Sequence, residues 1–466
     1  MSDSKAEAAW ARAREELPQT LERLKSYLRV PSISCEPEHA GDVARLCEIV
    51  GRDLGAAGFE TRVLRLEGAH PVVSASRLRA GAERPTLLIY GHLDVQPVKG
   101  EAWTTPPHEP SVRDGRLYAR GSSDDMGGWV SHLAALSAWL DTEGELPLNV
   151  RLVIEGEEEI GSPNLERYMD AFPEAFSADV MVLTDCENPS EDVPGLTTSL
   201  RGLYEVELHC EALRSDAHSG MWGNMLPDPG NALVKLLSRL LDDDGRMTVG
   251  RVSVDAAWRE SSRALPLGPD ELSRIAPLAP GVAPLPERDR SAAEWLWRQP
   301  AVTVLSTTLP APGEHKNAIR PRATATLSVR LAPGQTREQM RALLEPVLLE
   351  DPPAGVRVSL RERPGGAESW LYEPRGPAFE AAERAYAAAW GHGLIEVGAG
   401  GSIPFVALFG RRYSHLPLIL NGVLDPRSGL HGPDESLSLA VFEKAVHANV
   451  RLYAELAELG SKLGAP

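Results

Sequence analysis

At 466 residues the chain exceeds the length over which one hydrophobic core keeps growing, so two domains are expected. Hydrophobic residues at 42% and charged residues at 24% describe an ordinary soluble globular protein, and no stretch approaches the length of a membrane span. A formal net charge of −18 argues against nucleic acid and anionic membrane surfaces as partners.

In chain order, Met1 to Glu16 is charged and lacks an apolar core, so no signal peptide or anchor is visible. The four cysteines, Cys35, Cys47, Cys186 and Cys210, have no paired spacing and give neither a disulfide nor a zinc-finger framework. Together these features predict a cytoplasmic protein. Trp10, Leu17, Leu21, Leu24 and Leu28 recur at helical spacing and predict an amphipathic helix over Glu7 to Leu28. Thr86 to Tyr90 reads as an interior strand stopping at Gly91, after which His92 and Asp94 point the same way. An imidazole with a carboxylate two residues on suggests a ligand whose other ring N–H is held by that carboxylate. In Gly121 to Gly128 the adjacent acids Asp124 and Asp125 lie between glycines, ahead of a buried helix over Trp129 to Leu140. The helix dipole alone would favour carboxylates there. Asn149 to Ile154 is a strand running into Glu155-Gly156-Glu157-Glu158-Glu159-Ile160-Gly161-Ser162, where four glutamates repel one another unless something positive sits among them. Val180 to Thr184 is a third strand, delivering Asp185. Ligand sites in open α/β sheets lie outside the carboxyl ends of strands, so these three ends converge naturally.

From Arg201 the pattern changes. Tyr204, Val206 and Leu208 alternate with polar residues, as do Ala325, Leu327 and Val329, which predicts half-exposed antiparallel strands. Between them lies a proline-rich, weakly patterned span from Pro266 to Pro300. The fold class expected is α/β: a catalytic domain of residues 1–197 and 366–466, an α/β/α sandwich, carries an inserted α+β domain of residues 198–365. Glycine and proline cluster at both joins, Pro194-Gly195 and Pro364-Gly365-Gly366. Ala378 to Trp390 resumes helix, Leu416 to Leu420 is a strand, and a loop then carries His431 before a final helix to Leu459. A lone histidine between Leu430 and Gly432 is ordinarily a loop residue; its weight comes from the other four candidate ligands.

The ordered segments GHLDVQP, RGSSDDMGG, EGEEEIGS, LTDCE and SGLHGPDE resemble the co-catalytic zinc metallopeptidases of the aminoacylase, carboxypeptidase G and carnosinase type over nearly the whole chain. Within that family the likeness is greatest to the cytosolic dipeptidases, which share the DD-x-G form, Asp at the position of Asp185, a His-Ser-Gly triplet (His218 to Gly220) and a Gly-Gly-Ser-Ile-Pro loop (Gly400 to Pro404). Met126 stands where the family usually carries Lys.

The resemblance implies two divalent metal ions per subunit, Zn²⁺ first, with Mn²⁺ or Co²⁺ as alternatives for so oxygen-rich a ligand set. Asp124 would bridge ions roughly 3.5–4 Å apart, with His92 and Asp185 completing one and Glu159 and His431 the other. A free carboxylate must then take a proton from water. Glu157 and Glu158 are both nominally available, and the family pattern favours Glu158. Asp94 would orient His92, and Asp125 would shape the loop of Asp124 through a cis peptide. The inserted domain would act as lid and dimerisation domain of a homodimer, His218 reaching the partner subunit's active site to stabilise an oxyanion. Arg330, with Asn317 as companion, is a candidate clamp on a substrate carboxylate, and the backbone around Gly401 and Ser402 a second one. The activity expected is cleavage of dipeptides or short peptides with a free C-terminal carboxylate. An N-acyl amino acid deacylase or a carboxypeptidase would use the same metals, and a silent metal-binding protein would have lost a ligand or Glu158.

Overall fold

The computed structural model describes residues 2–276, 278–309, 313, 315–400, 404–460 and 463. The fold is α/β, as expected, and falls into two compact units. Met1–Thr198, Glu373–Val397 and Leu408–Pro466 form the first, and Ser199–Tyr372 with Gly398–Ala407 the second. Residues 366–372 and the return segment Gly398–Ala407 thus group with the second unit rather than with the remainder of 366–466.

The first unit is built on a six-stranded sheet in the order Glu60–Leu64, Val72–Arg77, Asn149–Glu155, Thr86–His92, Val180–Leu183, Leu418–Leu420. Val72–Arg77 runs antiparallel to both its neighbours, and the last four strands are mutually parallel. Parallel strands are covered on both faces, which is why Thr86–His92, Asn149–Glu155 and Val180–Leu183 read as near-continuous apolar runs and are almost wholly buried. The helix Met126–Glu143 is apolar nearly all round and buried from Met126 to Leu136. Its Trp129 stacks on Tyr27 of the opening helix Ser2–Leu28 at 5.5 Å, and its Trp139 Nε1 donates to the carbonyl of Val450 in the closing helix Leu439–Leu459. Helix Ser2–Leu28 begins earlier than the apolar spacing predicts and tolerates Pro18 in its interior.

The second unit carries an antiparallel four-stranded sheet, ordered Ala301–Thr307, Arg322–Leu331, Gly202–Glu211, Arg357–Glu362. Alternation in Gly202–Glu211 is strict: Tyr204, Val206, Leu208 and Cys210 are buried while their neighbours are half-exposed. The buried face packs against Leu233 and Leu236 of helix Pro229–Ser238 and Met340, Leu344 and Leu348 of helix Arg337–Leu349. The proline-rich span holds more order than its pattern signals. It includes helix Pro269–Ile275 and a π-helical turn, Glu294–Arg298, whose buried Glu294 pairs with Arg259 at 2.8 Å.

Candidate active site

Three neighbouring parallel strands release their chains at one edge of the first unit's sheet. His92 ends one strand and lies in register with Glu155, which ends the next; beyond the third come Thr184 and Asp185. Between them sits the turn Gly121–Asp125, where the chain enters helix Met126–Glu143 through a cis Asp124–Asp125 peptide. Here a side chain would not fit at Gly128: a Cβ would lie 2.1 Å from Asp125 Oδ1 and 2.7 Å from the Thr184 carbonyl oxygen. Asp125 Oδ2 accepts from the His92 N–H at 3.2 Å and from Thr184 Oγ1 at 2.6 Å, tying the Asp124 loop to two strand ends.

Asp124 is the centre of the site. Its Oδ1 lies 3.0 Å from His92 Nε2 and its Oδ2 lies 3.1 Å from His431 Nε2. Asp185 Oδ2 is 3.9 Å from His92 Nε2, and Glu159 Oε2 is 3.4 Å from His431 Nε2. The donor atoms therefore form two triads that could each hold a metal, His92–Asp124–Asp185 and Asp124–Glu159–His431, and Asp124 belongs to both. His431 reaches the cluster from a loop residue with φ 56, the left-handed region, from which its ring turns back to Asp124.

The charge balance shows what the cluster fits. Burial, and then the charge of Asp124, pushes Asp185 up to about 7 and Glu159 up to about 10. Burial likewise raises Glu158, with Asp185, Asp124 and Asp94 adding to it against the pull of His92. Asp124 alone is held low, because two histidine hydrogen bonds outweigh its burial. Four buried or half-buried acids facing two imidazoles are short of positive charge, and hard carboxylates mixed with imidazoles are the donor set of a divalent cation.

Glu157 and Glu158, alike in sequence, differ in structure. The Glu157 carboxylate accepts from the His70 N–H at 2.7 Å and from Asn164 Nδ2 at 2.9 and 3.0 Å, so it anchors the loop. The half-buried Glu158 carboxylate accepts no hydrogen bond from any described residue. Asp94 stands differently from the sequence expectation. The near partner of His92 Nδ1 is the Asp94 main-chain carbonyl at 3.0 Å, with carboxylate Oδ1 at 3.5 Å. The two carboxylate oxygens instead accept the N–H groups of Glu158 and Glu159, at 3.1 and 3.0 Å. Those amides open the short turn Glu158–Ile160 and have no partner within it, so an acid placed at that turn's start is drawn to them.

Two further residues hold the site that the sequence reading did not name. Glu435 accepts from the N–H groups of Gly121, Ser123 and Asp124 and from Arg120 Nη1, all at 3.0–3.2 Å. Gln96 Nε2 donates to Glu159 Oε2 at 2.6 Å. Both lie inside motifs already singled out, Glu435 closing SGLHGPDE and Gln96 within GHLDVQP.

In the second unit His218 is exposed and pairs across a two-stranded ribbon with Ala318; Ser219 N donates to the Asn317 carbonyl at 3.1 Å, which sets His218 beside Asn317. Arg330 is half-exposed, on the face of its strand away from the core. Ser402 and Gly401 lie outside the described residues.

Two overlapping His-carboxylate triads at strand ends, with an unengaged glutamate among them, define a site of the two-metal hydrolase class. The profile of Peptidase family M20/M25/M40 matches residues 88–458, and the chain belongs to that family of peptide hydrolases. It is 32% identical to a cysteinylglycine-S-conjugate dipeptidase of Corynebacterium striatum over 91% of this chain and 92% of that one. It is 27% identical to the human Beta-Ala-His dipeptidase over 84% and 78% of the two chains. Among solved structures, an M20 family metallo-carboxypeptidase from Sulfolobus solfataricus superposes with a TM-score of 0.75 at 26% identity, covering 94% of this chain and 99% of that chain. The family resemblance carried by the five motifs is borne out.

Proposed function

We propose that the protein is a two-metal dipeptidase that cleaves the peptide bond of dipeptides or short peptides bearing a free C-terminal carboxylate. The observation that carries this reading is the pair of triads sharing Asp124, with Glu158 left free of the hydrogen bonds that occupy Glu157. The curated relatives named above act on dipeptides, which supports the substrate class.

Divalent cations held by the triads, Zn²⁺ in our reading, would supply Lewis acidity, lowering the pKa of water and polarising a carbonyl. Glu158 takes a proton from the attacking water onto a carboxylate oxygen and then hands it to the leaving amine nitrogen. Asp94 fixes the main chain of Glu158 and Glu159, while Gln96 steadies the Glu159 carboxylate. His218 stabilises the oxyanion, and Arg330, with Asn317 as companion, takes the substrate carboxylate. We further propose a homodimer in which His218 serves the partner subunit. Beside His218 the large apolar side chains of Met221 and Met225 are 71% and 79% exposed, a surface suited to cover by a second copy. Four free cysteines, three of them buried, accord with a reducing, cytoplasmic setting, and no described helix is long and apolar enough to cross a membrane.

The test is a substrate screen of the metal-loaded protein. Dipeptides should be hydrolysed faster than N-acyl amino acids or longer peptides; a preference for N-acyl amino acids or for trimming longer chains would replace this reading with a deacylase or a carboxypeptidase.

A further inference from the structure

Two neighbouring arginines of the second unit, Arg201 and Arg330, form no ion pair among the described residues. Arg201 immediately precedes strand Gly202–Glu211, whose register with Arg322–Leu331 sets Gly202 opposite Leu331 and Leu203 opposite Arg330. Continuing that register puts Arg201 opposite Ala332. Arg201 and Arg330 therefore stand on the same face, away from the buried Val329 and Leu331, at diagonal positions of the kind that lie about 7–8 Å apart. Long guanidinium side chains span that gap easily.

Arg201 Nε donates to the Gly400 carbonyl at 3.1 Å, and Gly400 lets the guanidinium lie against the backbone, a Cβ there being 3.1 Å from Nη2. The other guanidinium donors of Arg201 meet no acceptor among the described residues, nor are they sealed from solvent. Arg330 likewise forms no ion pair among those residues. Several other arginines of this unit carry acid partners, Arg259 with Glu294, Arg337 with Glu362 and Glu368, Arg363 with Glu205 and Glu207. Burial, and after it the charge of Arg330, pulls Arg201 down to about 10. A sheltered cation beside a second cation is unfavourable unless an anion joins them. Two planar forks on neighbouring positions of one sheet face suit a carboxylate, with its two oxygens and four lone pairs.

We propose that Arg201 is a specificity residue which, together with Arg330, binds the free C-terminal carboxylate of the substrate, so that two guanidiniums rather than one recognise it. This rests on the dipeptidase reading, and its test separates the two. kcat and KM are measured for a dipeptide and for the same dipeptide as its C-terminal amide, with wild type, Arg201→Gln and Arg201→Lys. Wild type should prefer the free acid. Arg201→Gln should lose about 10- to 100-fold in kcat/KM on the acid, mostly through KM, the range for a charge-assisted hydrogen bond, while the amide changes little. Arg201→Lys keeps the charge but not the fork and should retain part of the acid preference. Equal losses on acid and amide would mean that Arg201 only tethers Gly400, and would overturn the proposal; so would an undiminished acid preference in either variant. Should Arg201→Gln fail to fold, the lysine variant decides alone, its preference either falling or not. A wild-type enzyme indifferent to acid and amide would overturn the carboxylate recognition of the dipeptidase reading itself.

Discussion

Asp124 places a histidine on each carboxylate oxygen, and that single residue joins two triads into one site. Around it the roles divide by what each side chain already touches. Glu157 is consumed by His70 and Asn164, whereas the carboxylate of Glu158, one residue on, accepts from none of the described residues. Glu158→Gln should therefore retain bound metal and substrate affinity while kcat falls by at least about 10²-fold, the scale of a positioned general base. Glu157→Gln should act chiefly on stability, seen as a lower melting temperature with kcat within a few-fold of wild type. Steady-state kinetics on the two variants would show the loop assigned out of register if the large kcat loss fell on Glu157→Gln. Residue types and local spacing made His92, Asp124, Glu159, Asp185 and His431 legible, because each sits where a strand runs out or a glycine-rich turn begins. The choice between Glu157 and Glu158 was not, since it depends on His70 and Asn164, which no local pattern connects to the loop.

At the scale of elements, the metal loops are held by bonds between distant segments. Glu435 lies 311 residues from Asp124 and accepts its N–H as well as those of Gly121 and Ser123, while pairing with the buried Arg120 at 3.0 Å. Replacing it with Gln removes the buried one of the two charges that pair with Arg120, the other being Glu101 at 3.1 Å, and one acceptor of the loop. Breaking a buried pair from one side costs about 3–5 kcal/mol, so Glu435→Gln should lower unfolding free energy on that scale and weaken metal binding, both measurable by urea titration with and without metal. Such a residue cannot be read from a sequence: its partners are fixed only once the closing loop folds back. The packing of helix Met126–Glu143 yields a pH prediction. Its His132 is buried against the Tyr453 hydroxyl at 2.8 Å, and burial draws it down to about 3. The unfolded chain titrates near 6.5, so between about 6.5 and 3 the unfolded state binds the extra proton and stability falls as pH falls. His132→Gln should remove up to about 1.4 kcal/mol per pH unit of that slope relative to wild type; identical slopes in denaturant unfolding at pH 7, 6 and 5 would contradict it.

For the whole molecule, the alternation in Tyr204–Leu208 and Ala325–Val329 announced an antiparallel sheet with one covered face, and that sheet is present with helices on its buried side. The π-helical turn at Glu294–Arg298 and the order within the proline-rich span escaped notice because their stability comes from ion pairs such as Arg259–Glu294, which leave no periodicity. His218 tests the proposed quaternary arrangement. If it acts in trans, His218→Ala should lower kcat with metals intact, and mixing it with Glu158→Gln should restore activity. Random pairing would make about half the dimers mixed, each with one intact site, so recovery should approach about a quarter of wild-type sites. No recovery in heterodimers verified by two affinity tags would place His218 in cis or outside the reaction.

The central claim, a hydrolytic site of two cations joined through Asp124, is tested most directly by titrating metal-stripped enzyme with Zn²⁺ while following hydrolysis of one dipeptide. The account predicts no turnover without metal, a rise that levels off at two equivalents per chain, and an Asp124→Ala variant that neither retains two ions nor turns over. A plateau at one equivalent, or an Asp124→Ala enzyme that still binds two ions, would contradict it.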